Sequence, residues 1–208
     1  MKILYEDNYL IAVLKKDKLL TIASLKEKEK TLYHEVSDYL KKKNKKNKIF
    51  IIHRLDFDTS GIVLFAKDEK TKKIMQDNWS NVKREYIAIV SGTVKKDHDV
   101  IKSYLKETKT LLTYSNYKGI GKLALTQYEV LKRSQNFTML KINLITGRKN
   151  QIRVHLKDIG NPIVGDKKYG IVKNTHMLLH ANLLEFKHPY ENKILSIKCE
   201  LPTYFDIM

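Results

Sequence analysis

The chain is poor in cysteine and proline. Cys199 is the one cysteine among 208 residues. That excludes an intramolecular disulfide and any zinc site built on paired cysteines. Three prolines leave no proline-rich linker between domains. Long apolar runs are missing too: none approaches the ~18 residues that a membrane-spanning helix needs. The opening stretch MKILYEDNYLIAVLKKDK carries acidic residues and lacks a small-residue cleavage site, so it does not read as a secretory signal. The seven histidines are scattered without paired ligand spacing, which argues against a metal site. Cytoplasmic residence and no membrane partner are the resulting expectations.

Positive charge, by contrast, is abundant. Forty Lys and Arg against 23 Asp and Glu give a formal net charge of +17. Such a field attracts polyanions, and neutralisation of phosphates by Lys and Arg supplies most nonspecific affinity for nucleic acid. The joint richness in Lys, Ile and Asn has a second explanation in genomic base composition, so charge alone leaves the partner open. Hydrophobic residues make up 42% of the chain, enough for a packed core and too many for a disordered one.

Apolar patterning predicts a strand, a turn at Glu6-Asp7-Asn8 and a second strand within Lys2–Leu14. Leu32, Val36, Tyr39 and Leu40 share one face of a helix over Thr31–Lys43, with Thr31 as its cap. The run Lys41–Lys48 that follows reads as a helix end fraying into a solvated loop, or as a phosphate contact. Strands are expected at Ile49–Ile52, Gly61–Lys67, Arg84–Val90, Ala124–Lys132, Thr138–Leu144, Met177–Phe186 and Lys193–Cys199. Helices are expected at Glu69–Asn78 and Asn150–Asp158. Residues 93–123 read as polar and loop-rich, with short strand candidates at Ser103–Leu105 and Leu111–Tyr114. Many strands with few helices, and no regular alternation, predict an α+β fold with a mainly antiparallel mixed sheet flanked by helices and loops. A single domain spanning 1–208 is expected from the length.

Three polar segments exceed what a simple fold requires. His53-Arg54-Leu55-Asp56-Phe57-Asp58-Thr59-Ser60-Gly61 links two apolar strands. A turn accounts for its Asp, Ser and Gly, but not for His and Arg as well. Lys83-Arg84-Glu85-Tyr86 opens a strand and, taken alone, is a solvated charge cluster beside a core tyrosine. Thr146–His155 places a turn at Gly147 before a helix on which Arg148, Gln151 and His155 recur at helical spacing. Basic side chains at a helix start oppose the macrodipole at up to ~1 kcal/mol each. A carboxylate partner or RNA phosphates would offset that cost.

These segments, in this order, resemble the RluA-type RNA pseudouridine synthases. His53–Gly61 is similar to the family's HRLDxxTSG segment, and KREYIAIVSG at Lys83–Gly92 to the segment with its active-site tyrosine. Thr146–His155 and GNPIVGDKKYG at Gly160–Gly170 resemble the TGRxHQIRVH stretch and its continuation. Leu179-His180-Ala181, with Phe186, His188 and Pro189, matches a fourth, weaker segment. The resemblance runs from Ile3 to Pro202. Two departures stand out: Lys15-Lys16-Asp17-Lys18 occupies the place of a proline-glycine pair, and Asn150 that of the histidine before QIR.

The resemblance implies a pseudouridine synthase fold and isomerisation of a uridine in ribosomal or transfer RNA. It implies no cofactor, because no atoms are gained or lost. The catalytic residues it implies are Asp56 as nucleophile, Tyr86 against the uracil, and Arg153 as the cation favouring an ionised Asp56. It implies RNA contacts from Arg54, His53, Arg148, Lys149 and Gln151, with Arg54 filling the space of an extruded base. Ile152 and Leu179 either wall the substrate pocket or belong to the core. Beginning at Ile3, the match leaves no room for the small N-terminal RNA-binding domain of many relatives, and a monomer is expected. Two other readings stay open: an RNA-binding or ribosome-assembly factor that retains the fold, and a base-excising glycosylase, which also uses a carboxylate and a flipped base.

Overall fold

The computed structural model describes residues 1–23 and 27–207. The elements in order are β1 (Lys2–Glu6), β2 (Leu10–Lys15), α1 (Leu32–Lys43), β3 (Phe50–Ile51), β4 (Ser60–Ala66), α2 (Glu69–Asp77), β5 (Lys83–Ser91), β6 (His98–Glu107), β7 (Thr113–Asn116), β8 (Lys122–Arg133), β9 (Phe137–Leu144), α3 (Gln151–Asp158), β10 (Leu179–Lys187) and β11 (Ile194–Lys198). They group into two compact units, residues 1–82 with 181–200, and residues 83–180 with the stretch from Leu201 onward.

In the first unit β1 pairs with β2, β2 and β3 with β4, and β10 with β11, all antiparallel. Asp7 makes the β1–β2 turn: its Oδ1 accepts from the N–H groups of Tyr9 and Leu10 at 2.7 and 2.6 Å. Such a side chain-to-backbone bond is why Asp favours turns. All seven residues of β4 are buried, as its unbroken apolar run implies for a strand covered on both faces. Leu10, Ala12, Ile62, Leu64, Met75, Leu184 and Phe186 form one core cluster. Helix α1 starts where Thr31 accepts a 3.1 Å hydrogen bond from the His34 N–H, a cap worth about 1 kcal/mol. Its buried Leu32, Val36 and Leu40 recur every four residues, and three lysines in its last turn complement the macrodipole.

In the second unit β5 pairs with β9, β9 with β8, β8 with β6 and β6 with β7, all antiparallel. Helix α3 packs on one face of this sheet, with Val154 against Leu105 and Ala124. A further cluster holds Ile87, Ile89, Val164, Leu178 and Phe205. The α+β, mainly antiparallel architecture is the one the patterning predicts.

The segment read as loop-rich departs from expectation. It carries β6, a strand of ten residues. Only Ile101, Ser103 and Leu105 of this strand are buried, alternating with exposed or half-buried positions including Lys102 and Lys106. Local apolar content is therefore low, and pairing with β7 on one side and β8 on the other builds the strand instead. β7 starts at Thr113 rather than Leu111, because Leu111 takes a left-handed φ of 63° in the preceding turn. β3 shrinks to two residues, and β10 begins two residues later than predicted.

Candidate active site

Asp56 lies in the irregular link between β3 and β4. The Thr59 N–H closes a turn onto its carbonyl at 3.2 Å. Both neighbouring residues are pinned, one from the last residue of β2 and one from the segment that follows it. The Thr21 hydroxyl donates to the Leu55 carbonyl at 2.8 Å and accepts from the Leu55 N–H at 3.2 Å. Lys15 Nζ donates to the Phe57 carbonyl at 3.0 Å. Leu55 is buried, Asp56 half-buried and Phe57 exposed. The half-buried Asp56 thus sits on a backbone anchored on both sides.

The anchoring Lys15 is fully buried. Its ammonium also donates to the carbonyls of Lys16 and Leu19, at 3.0 and 2.6 Å, so three N–H groups meet three acceptors. Burial pushes its pKa down to about 8, while the charges of Asp17, Asp56 and Asp58 pull it back up. The turn beyond it lacks the family's proline-glycine pair. Lys18 adopts the left-handed conformation there, with φ 55°, which glycine accepts without steric cost.

The other expected residues of this segment differ in exposure. Arg54 is exposed. His53 turns its ring onto Trp79, with centroids 4.5 Å apart, and its Nε2 accepts from the Leu64 N–H at 3.0 Å. That bond places the ring against β4. Gly61 closes the segment with φ 124°, and a Cβ there would come within 2.3 Å of the Ala181 carbonyl oxygen. Only glycine fits.

In the second unit Tyr86 is buried on β5, opposite Ile142 of β9, which in turn pairs with Tyr128 of β8. Directly paired residues point to the same sheet face. Thr126, two residues before Tyr128, faces the same way and binds α3. The register therefore puts Tyr86 on the sheet face that carries α3. Arg84, two residues earlier on that face, is buried and donates from Nη2 to the Ile145 carbonyl at 2.9 Å. Burial lowers its pKa, and the neighbouring Tyr86 works in the opposite direction.

The α3 segment resolves the helix-start problem through carboxylates. Lys149 pairs with Glu107. Arg153 forks onto Asp166, Nε to Oδ2 at 2.7 Å and Nη2 to Oδ1 at 2.8 Å. Arg148 is exposed and donates from Nε to the Leu123 carbonyl at 3.0 Å. Burial opposes the charge on Asp166, but the Arg153 bonds and charge, with the N–H groups of Lys168 and Tyr169, hold its pKa below the usual carboxylate value.

Gln151 requires a correction. Expected at the RNA, it is 2% exposed. Its Oε1 accepts from the Thr146 hydroxyl and the Arg148 N–H, and its Nε2 donates to the Leu125 carbonyl and the Thr126 hydroxyl. All four bonds are internal, so the side chain holds the strand-to-helix turn. His155, on the same helical stripe, is buried between the hydroxyls of Ser103 and Thr126, at 2.9 and 2.8 Å. Burial pushes its pKa down to about 4, with Asp158 slightly opposing. Gln151 and His155 together form an internal hydrogen-bond seam. Ile152 and Leu179 are both buried, at 5% and 3% exposure.

Four residues gained importance only with the structure: Lys15, Thr21, Asp166 and Tyr169. Asp166 and Tyr169 fall inside GNPIVGDKKYG, but nothing local distinguishes them from ordinary turn residues. Among the described residues no cluster of His, Cys, Asp and Glu is arranged to hold a metal ion, and no helix is long and apolar enough to cross a membrane.

Residues 9–158 match the RNA pseudouridylate synthase family, and the chain belongs to it. It is 37% identical to "Uncharacterized RNA pseudouridine synthase YlyB" of Bacillus subtilis over 73% of its own length and 52% of that protein's. It is 33% identical to "Ribosomal large subunit pseudouridine synthase C" of Rickettsia bellii, over 98% of this chain and 69% of the relative. The chain thus spans about half to two thirds of the length of these relatives. Among solved structures, human RNA Pseudouridylate Synthase Domain Containing 4 superposes with a TM-score of 0.82 at 23% identity, over 98% of this chain and 90% of that one. The fold is that of the pseudouridine synthases.

Proposed function

We propose that the chain is an RNA pseudouridine synthase that isomerises a uridine in structured RNA, with Asp56 as the nucleophilic carboxylate. The observation that carries this reading is the anchoring of both neighbours of Asp56, by Thr21 and Lys15, inside the segment that matches the family's catalytic motif. The name of the Rickettsia bellii relative favours ribosomal RNA as the target, with transfer RNA as the other outcome.

In the reaction the bond from ribose C1′ to uracil N1 breaks, and one from C1′ to C5 forms. The C5 proton leaves and N1 gains one, so the sum of atoms is unchanged and no cofactor takes part. A carboxylate suits this sequence because it can attack and then depart. It reacts as the anion, a state that a nearby cation favours. Arg153 fills that role in this reading. Tyr86 stacks on the uracil and assists removal of the C5 proton. The base must leave its stack to react, at a cost of a few kcal/mol, and Arg54 takes its place.

RNA carrying tritium at uridine C5 tests the proposal. Release of tritium to water with intact RNA chains is the expected result. Free uracil would point instead to excision, and binding without either product to an RNA-remodelling factor. Asp56→Asn should abolish release while largely sparing RNA binding, and retained turnover would remove Asp56 from the chemistry.

A further inference from the structure

The guanidinium of Arg153 is held on more than one edge by residues that take no part in the scheme above. Asp166 grips the Nε and Nη2 edge with both carboxylate oxygens. Asn150 Oδ1 accepts from Nη1 at 3.0 Å. The ring of Tyr169 lies under the group, 5.2 Å from Cζ. A two-point fork fixes a planar cation in direction as well as position, which a lysine in the same place would not allow.

The holders are themselves held. Asp166 Oδ1 accepts from the N–H groups of Lys168 and Tyr169, at 2.8 and 3.0 Å. The Tyr169 hydroxyl accepts from Asn150 Nδ2 and from the Thr113 N–H, both at 3.2 Å, and donates to the Thr113 carbonyl at 3.1 Å. Asn150 sits in the left-handed conformation, φ 53°, which asparagine tolerates better than most side chains. Asn150 thereby starts α3 and offers its amide to both Arg153 and Tyr169. The side chain of Asp166 is fully buried and that of Arg153 is 9% exposed. A buried ion pair is a poor way to gain stability alone, since desolvation of both charges opposes the attraction, and an apolar pair of similar volume would pack as well.

We propose that Asp166 is a positioning residue for the isomerisation: it aims the Arg153 guanidinium, and Tyr169 and Asn150 lock the pair. This rests on the reading in which Arg153 favours the ionised carboxylate, and it adds the group on which that service depends. With Asp166 replaced, Arg153 keeps its charge and loses its direction. The cation is then misdirected at the reacting groups, which lowers turnover while leaving the binding of RNA in place.

The test compares kcat and KM for tritium release by the wild type, Asp166→Asn, Tyr169→Phe and Arg153→Leu, with thermal melting of each. Asp166→Asn should lower kcat by about a hundredfold, the scale of a misplaced catalytic group. The KM for RNA should stay near the wild-type value. Tyr169→Phe should lower kcat by a smaller factor, again with KM near wild type. A folded Asp166→Asn enzyme with wild-type kcat overturns the proposal. So does a variant that melts earlier yet turns over normally per folded molecule. If Asp166→Asn does not fold, a wild-type kcat in Tyr169→Phe overturns it instead. Arg153→Leu separates the two levels. Unchanged kinetics there would sink the role given to Arg153, whereas an impaired Arg153→Leu beside an unimpaired Asp166→Asn would sink only the positioning role.

Discussion

Lys15 Nζ donates a 3.0 Å hydrogen bond to the carbonyl oxygen of Phe57, the residue that follows Asp56. A buried ammonium thereby organises the loop that presents a carboxylate. Its three hydrogens meet three backbone carbonyls, which satisfies a charge that burial would otherwise make costly.

Lys15→Met should remove all three bonds and leave three carbonyls without that donor, costing about 3 kcal/mol or more. Urea unfolding measures the loss. The pH dependence adds a second signature. The pKa of about 8 in the folded protein lies below the ordinary 10.5. Between these values the unfolded chain holds the proton that the folded one has lost, so this group makes stability rise with pH, by roughly 3 kcal/mol across the window. That slope should be missing from Lys15→Met; an identical slope in both proteins would contradict the buried charge.

Gly61→Ala should cost about 3 kcal/mol, since a side chain at φ 124° is strained and the added Cβ would overlap the Ala181 backbone. For a chain of this size that corresponds to a fall of roughly 10 °C in Tm. Calorimetry checks it, and an unaltered Tm would mean that β4 can shift away from Ala181.

His155 should make the protein sensitive to acid. Its folded pKa of about 4 lies below the ordinary 6.5 because of burial. As pH falls from 6.5 toward 4 the unfolded chain takes up the proton first. Stability present above pH 6.5 is therefore lost through this window, by roughly 3 kcal/mol. His155→Gln should lower stability at pH 7 by about 1–2 kcal/mol, through the weakened bonds to Ser103 and Thr126, and should flatten the acid slope. Urea titrations of both proteins at pH 7 and pH 5 decide it; equal slopes would count against the buried neutral ring.

Legibility in the sequence followed the range of the interactions concerned. Thr31 capping a helix with Leu32, Val36 and Leu40 on one face was readable, because the cap bond spans three residues and the stripe repeats every four. The same spacing left Gln151 and His155 undecided. Helical period tells which side chains share a face, but not whether that face meets water or a sheet of hydroxyls such as Thr126 and Ser103. β6 was underestimated because its pairing partners, rather than its own composition, make it a strand.

By itself the sequence determined the order of elements, the segments with excess polar chemistry, and Asp56, Tyr86 and Arg153 as the residues matching a family's reactive groups. These are properties of short windows, where hydrophobic period, turn chemistry and motif spacing act between near neighbours. Tertiary structure alone decided which groups hold them: Lys15 reaching Phe57 across 42 residues, Thr21 reaching Leu55 across 34, and Asp166 gripping Arg153 from a separate turn. Buried polar groups must find partners wherever folding brings one within about 3 Å, and no local pattern records which partner that will be.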